Sequence, residues 1–259
     1  MRTLKLTIAY DGTRYAGWQV QKDSTQQTAH SRQRPTIQGT LERVLGRILR
    51  ERVGVVGSGR TDAGVHAQAQ VAHMKTRCLL PCGRLLRSVN ALLPPDISVL
   101  RVEEAEPSFH ARFQAVSKRY RYRIFRGDVV PPFIRPYVYQ VRAPLNVALM
   151  RREAARLKHR HDFRAFARAA SHTTRTIHDV RVIRQGQELQ IEVEGNGFFH
   201  TMVRSIAGTL IDIGRGRLPP GTIRRMLQTG ERRLAGTTAP AKGLMLVAVH
   251  YWTVQRRMR

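Results

Sequence analysis

Polar and apolar residues alternate from the start of the chain. Leu4, Leu6 and Ile8 share one face of an extended segment, which predicts a strand over 2–9. A polar stretch, QKDSTQQTAHSRQRPT at 21–36, reads as a long loop. The period then changes: Ile37, Leu41, Val44, Leu45, Ile48 and Leu49 recur at helical spacing and predict an amphipathic helix. Short strands are expected over 52–57 and 67–75. A helix over 83–92, stopped by Pro94 and Pro95, and a strand over 96–103 follow. The order is β-α-β-β-α-β.

The same order comes again after EEAEPSFHARF. KRYRYRIF at 118–125 places Tyr120, Tyr122 and Ile124 on one side of a strand and arginines on the other. A helix over 145–158 precedes strands over 176–184 and 188–195, the second with Leu189, Ile191 and Val193 in alternation. HTMVRSIAGTLIDIG at 200–214 is a helix ending at glycine, an extra helix is expected over 220–228, and GLMLVAVHYW ends the pattern as a buried strand. Two such units predict an α+β fold of two split-βαβ, ferredoxin-like halves, divided as residues 1–106 and 107–259. Joined edge to edge, they would form a continuous mixed, largely antiparallel sheet with a central basic cleft. The order of elements repeats, but the sequence itself does not.

Composition narrows the function. The 259 residues are 42% hydrophobic, enough for a proper core. Lys and Arg number 45 against 18 Asp and Glu, a net charge of +27. So basic a chain attracts polyanions. Its acids do not rise with its arginines, as they do in the ion-pair networks of thermophile surfaces, so nucleic acid is the expected partner. No membrane attachment is expected: the longest apolar run, LMLVAV at 244–249, is far short of the roughly 18 residues a spanning helix needs. The N-terminal stretch has no signal-peptide apolar block, and Cys78 and Cys82 read as reduced thiols of a cytoplasmic protein. His159 and His161 have no third ligand nearby in sequence, so no metal is expected there.

The run GSGRTDAGVHA at 57–67 carries one carboxylate, Asp62, among Gly57, Gly59 and Gly64, with Arg60 two positions before it. By turn chemistry alone the plainer reading is an aspartate capping its own backbone, and a catalytic carboxylate is the other. A phosphate-cradling P-loop is excluded, because no GK[ST] follows and no helix begins there. The full run resembles the central motif of the tRNA pseudouridine synthase A family, and the likeness extends along nearly the whole chain. YDGTRYAGWQ at 10–19, VNALLPPDI at 89–97, FHARFQAVSKRYRYRI at 109–124, HDFRAF at 161–166, GNGFFHTMVRSIAG at 195–208 and GTTAPAKGLML at 236–246 fall in that family's order.

The resemblance implies a synthase that isomerises uridine to pseudouridine at positions 38–40 of the tRNA anticodon stem-loop. It further implies a homodimer that uses neither cofactor nor metal. Asp62 matches the family's catalytic aspartate and Tyr120 the tyrosine that packs against the target base. Arg60 matches an arginine of the active-site loop, thought to hold the nucleotide flipped out of its helix. Arg204 matches the arginine that pairs with the carboxylate. Without that match, Arg204 reads as a surface arginine on an amphipathic helix and Tyr120 as a strand core residue.

The chemistry suits these residue types. Cleaving the N1–C1′ bond builds positive charge at C1′, which a carboxylate stabilises as in glycoside hydrolysis. An arginine partner would keep that carboxylate ionised, and an aromatic wall would exclude water. Attack at C1′, attack at C6 and a glycal route all remain open. Arg14, Arg112, Lys118 and Arg168 are candidate phosphate contacts. The chain departs from the family's usual pattern in the length of the 21–36 loop, at Thr201, in GTTAP for GPTAP, and in KHRHDF, which lacks the glycine that commonly precedes HDF.

Overall fold

The computed structural model describes residues 1–20, 34–167 and 172–252. The expected loop at 21–36 therefore lies outside the described residues over 21–33, as does Arg168. Among the described residues, ten strands of a mixed, mostly antiparallel sheet and five α-helices make the fold α+β, as the periodicity predicts. None of the described helices is long and apolar enough to cross a membrane. The chain divides into two compact units, Met1–Val116 with the chain from Val247 onward, and Ser117–Leu246.

The first unit holds β1 (Arg2–Tyr10), α1 (Ile37–Leu49), β2 (Val56–Gly57), β3 (His66–Thr76), α2 (Cys82–Leu92) and β4 (Ile97–Ala105). β1 pairs antiparallel with both β3 and β4, and β2 lies on the far side of β3. The resulting order β4-β1-β3-β2 is that of a split-βαβ unit. Leu4, Leu6 and Ile8 are fully buried on one face of β1, joined by Leu41 and Leu45 of α1 and by Leu85 and Val89 of α2. Helix α1 starts where the Thr36 side chain accepts from the Gly39 amide at 3.1 Å, an N-cap. The strand expected over 52–57 is confined to Val56 and Gly57. The Val55 amide is taken instead by Glu42 Oε1 of α1, at 2.9 Å, which holds the segment off the sheet.

In the second unit, β5 (Ala115–Phe125), β9 (Glu188–Gly195), β8 (Thr174–Gln185) and β7 (His159–Asp162) lie side by side, all antiparallel. β6 (Tyr139–Gln140) adds a short parallel pairing on β5. The helices are α3 (Val147–Ala155), α4 (Met202–Gly214) and α5 (Thr222–Thr229). β10 (Leu244–Tyr251) ends the order, with Leu244–Leu246 in this unit and Val247–Tyr251 in the first. β6 and β7 were not expected from the sequence. Both are too short, at two and four residues, to show a period.

Two features of this unit change the sequence reading. The arginine face of β5 is met by a glutamate face of β9: Arg119 pairs with Glu194 at 2.6 Å, Arg121 with Glu192 at 2.7 Å and Arg123 with Glu188 at 2.8 Å. Helix α4 is buried on all sides rather than along one face. Of its thirteen residues only Arg204 is not buried.

Candidate active site

The loop from Val56 to His66 is fixed on both flanks of Arg60. On one side, the Ser58 amide donates to Val71 O at 2.7 Å, and Ser58 Oγ donates to Gln70 Oε1 at 2.7 Å. Gln70, fully buried in β3, in turn donates from Nε2 to Gly59 O at 3.0 Å. On the other side, the Trp18 amide donates to Thr61 O at 3.1 Å, and the hydroxyls of Thr61 and Tyr10 share a hydrogen bond at 2.9 Å. Gln70 Oε1 also accepts from the Val71 amide at 3.2 Å, which fixes the buried amide in place. Burial pushes the Tyr10 hydroxyl up to about 12, which keeps it neutral.

Past this clamp the chain turns back on itself. The Val65 amide donates to Asp62 O at 3.1 Å, with Gly64 at φ +75°. Only Gly64 of the three loop glycines takes a positive φ. Gly57 serves by its missing side chain, since a Cβ there would lie 2.6 Å from the Trp18 ring. Asp62 and Gly64 are half-buried at this turn, between buried Thr61 and buried Val65, and Arg60 is exposed.

YDGTRYAGWQ supports the loop from below. Its Gly12 amide donates to Nδ1 of buried His66 at 3.1 Å, and a Cβ on Gly12 would fall 2.0 Å from Val65 O. Gly17, at φ +104°, lies so close that a Cβ would sit 2.6 Å from Thr61 O. This motif is anchored in turn by Asp96 of VNALLPPDI, whose Oδ1 accepts from Tyr15 at 2.6 Å. Its Oδ2 accepts from Arg14 Nη2, also at 2.6 Å, so this phosphate candidate has a carboxylate partner. Two of the sequence motifs thus support a third.

In the second unit, Tyr120 is buried in β5 and meets Phe198 of GNGFFH edge to face, 5.2 Å between ring centres. Tyr122 on the same face donates from its hydroxyl to Pro240 O at 2.8 Å. Arg204 donates from Nε to Ala239 O at 2.8 Å, and the Ala239 amide donates back to Arg204 O at 3.1 Å. GTTAP and α4 are therefore held together at this arginine. Burial drives the Tyr122 hydroxyl up, and the nearby charge of Arg204 opposes the shift. Arg204 sits in the first turn of α4, where the helix macrodipole disfavours a cation. Together with the burial of every other residue of α4, that makes it a poor fit to a plain surface arginine. Thr201, just before α4, takes φ 60°, an outlier for a β-branched residue, and its Oγ1 is buried with no partner among the described residues.

Of the remaining phosphate candidates, Arg112 is exposed and Lys118 half-buried. The sequence reading missed the supporting residues Tyr10, Trp18, Thr61, Gln70 and Phe198. Tyr10 had a signal, since alternation along β1 puts it on the core face with Leu4, Leu6 and Ile8.

Comparison with known proteins agrees with this arrangement of motifs. The family described as tRNA pseudouridine synthase matches residues 6–114 and 154–252. The tRNA pseudouridine synthase A of Moorella thermoacetica is 44% identical over 254 residues, 97% of this chain and 100% of that relative. That of Pelobacter propionicus is 44% identical over the same shares. That of Myxococcus xanthus is 43% identical, over 97% of this chain and 92% of its own length. Among solved structures, the archaeal box H/ACA sRNP Nop10–Cbf5 complex matches 81% of this chain and 42% of its own, with a TM-score of 0.33 and 16% identity. With its motifs, α+β fold and full-length relatives in agreement, the chain belongs to the tRNA pseudouridine synthase A family.

Proposed function

We propose that the chain isomerises uridines 38–40 of the tRNA anticodon stem-loop, with Asp62 as the catalytic carboxylate. The observation that carries the reading is the loop itself: buried hydrogen bonds fix Ser58, Gly59 and Thr61, while Asp62 stays half-exposed at the turn beyond them. A reacting group needs such fixed placement. The reaction breaks N1–C1′, joins C5 to C1′, releases the C5 proton and leaves a proton on N1. Atoms balance without a redox partner, so no cofactor enters the reading.

Each assigned residue has a physical part. Asp62 acts in its ionised form on C1′ or C6, or on a sugar proton in a glycal route. Arg204 is its cationic partner, which favours the ionised carboxylate. Tyr120, with Phe198 against its edge, supplies an apolar wall that limits capture of water by the activated sugar. Arg60 holds the flipped nucleotide, whose removal from the stem costs a few kcal/mol. The family resemblance adds a homodimer acting in the cytoplasm.

The test is tritium release from tRNA transcripts labelled at C5 of uridine, wild type against Asp62→Asn. Forming the C5–C1′ bond expels that hydrogen, so release reports the reaction directly. Release by the wild type and none by the variant is the expected result. Transcripts with uridine kept at only one of the three positions locate the target. Undiminished release by Asp62→Asn would remove the aspartate from the mechanism.

A further inference from the structure

Residues 109–114 end in an aromatic column that runs from the core of the first unit into solvent. His73 of β3 is buried, and its ring centre lies 4.7 Å from that of His110. His110 stacks on Phe113 at 4.2 Å with 26° between planes. Phe113 is nonetheless 76% exposed, and the Arg112 guanidinium carbon lies over its ring at 5.8 Å.

The turn that carries Phe113 is built from an unusual set of hydrogen bonds. The Ala111 amide donates to His73 Nδ1 at 3.1 Å. The next two amides, of Arg112 and Phe113, donate to His110 Nδ1 at 3.2 and 3.3 Å. Tyr251 donates to Ala111 O at 2.7 Å, and Gln114 closes the turn by accepting from the His110 amide at 3.1 Å. Three consecutive amides thus end on two imidazoles. The turn is ordered before any partner arrives, so a ligand need not supply that ordering.

A single exposed phenylalanine ordinarily needs no explanation. This one is held at a fixed angle at the end of a stack, beside a guanidinium. The same cluster carries Lys5 over the rings of Phe109 and Tyr251, at 5.9 and 5.3 Å. Aromatic faces interleaved with cations suit single-stranded nucleic acid, whose bases stack while its phosphates meet the charges. A protein partner would be met by an apolar patch instead, and cations flank these rings.

We propose that Phe113 is a stacking platform for an unpaired base of the RNA substrate, with Arg112 meeting an adjacent phosphate. The inference rests on tRNA as the substrate and is independent of the role given to Asp62. Its chemistry is base-tolerant, because every base has a π-face, so the contact contributes affinity without selecting the uridine.

The test measures tRNA affinity for wild type, Phe113→Ala, Phe113→Leu and Phe113→Trp at fixed low salt, with tritium release alongside. Loss of stacking should weaken binding about 5- to 100-fold in the alanine variant. The leucine variant should lose nearly as much, because it keeps apolar bulk but no π-face. KM should rise with kcat little changed, and the melting temperature should stay at the wild-type value because the ring is exposed. Phe113→Trp should bind as the wild type does, and its added indole emission should be quenched by tRNA beyond the response of Trp18 and Trp252. Alanine and leucine variants that bind tRNA as tightly as the wild type would overturn the proposal. So would an indole signal that saturating tRNA leaves unchanged, or a loss of self-association in Phe113→Ala at unaltered tRNA affinity.

Discussion

At Gly17 the backbone φ is +104°, and a Cβ would meet the Thr61 carbonyl oxygen at 2.6 Å. Alanine there is strained twice, by conformation and by contact with backbone that carries Asp62. Gly17→Ala should therefore cost about 1–3 kcal/mol in urea unfolding, and tritium release should fall further than the loss of folded protein explains. Gln70→Leu tests the clamp from the other side. It strips partners from the buried Ser58 hydroxyl and the Gly59 carbonyl, worth about 1–3 kcal/mol. If the clamp positions Asp62, kcat drops while tRNA affinity holds; an equal loss of both would make Gln70 a purely structural residue. The carboxylate and its glycine-rich surroundings were legible in the sequence. The need for Gly17 was not, because its cause is a backbone contact between segments distant along the chain.

Long periodic elements were legible for a similar reason: β1, α1, β3, α2, β5, β8, β9 and α4 each carry enough residues to show their period. The short β7 carries a conflict no period reveals. His159, its first residue, takes φ +79°, a left-handed conformation that glycine adopts without strain. This explains physically the glycine that KHRHDF lacks. His159→Gly should raise stability by about 1 kcal/mol, read as an upward shift of the thermal midpoint, with tritium release unchanged. The arginines of β5 show a second feature that the period alone does not reveal, since their charges are met by the glutamates of β9. Arg121 and Glu192 face each other across the β5–β9 register and are both mostly covered. Such cross-strand pairs contribute roughly 0.2–1 kcal/mol. Arg121→Gln should thus cost a little stability and leave tRNA affinity where it was.

For the whole molecule the excess of cations is the dominant fact. Carboxylates that might offset it are largely engaged within the protein, among them Asp96 with Arg14, Asp179 with Lys158, and the three glutamates facing β5. The net charge of +27 thus stands as an excess of cations over all the carboxylates of the chain. If the chain meets about 6–10 phosphates, tRNA affinity falls about 10³- to 10⁵-fold between roughly 50 and 200 mM salt, and a flat dependence would refute a charged tRNA surface. The slope also separates the parts assigned to individual residues. Arg112→Gln removes one phosphate contact and should lower the slope of log affinity against log salt by about one. Phe113→Ala removes a neutral stacking face, so it should shift the line down without changing its slope. Asp62→Asn should leave slope and intercept near the wild type, since the carboxylate acts on the sugar or base rather than on the phosphates. A common slope change in all three variants would mean that they loosen the protein as a whole, and the separate roles would fail together.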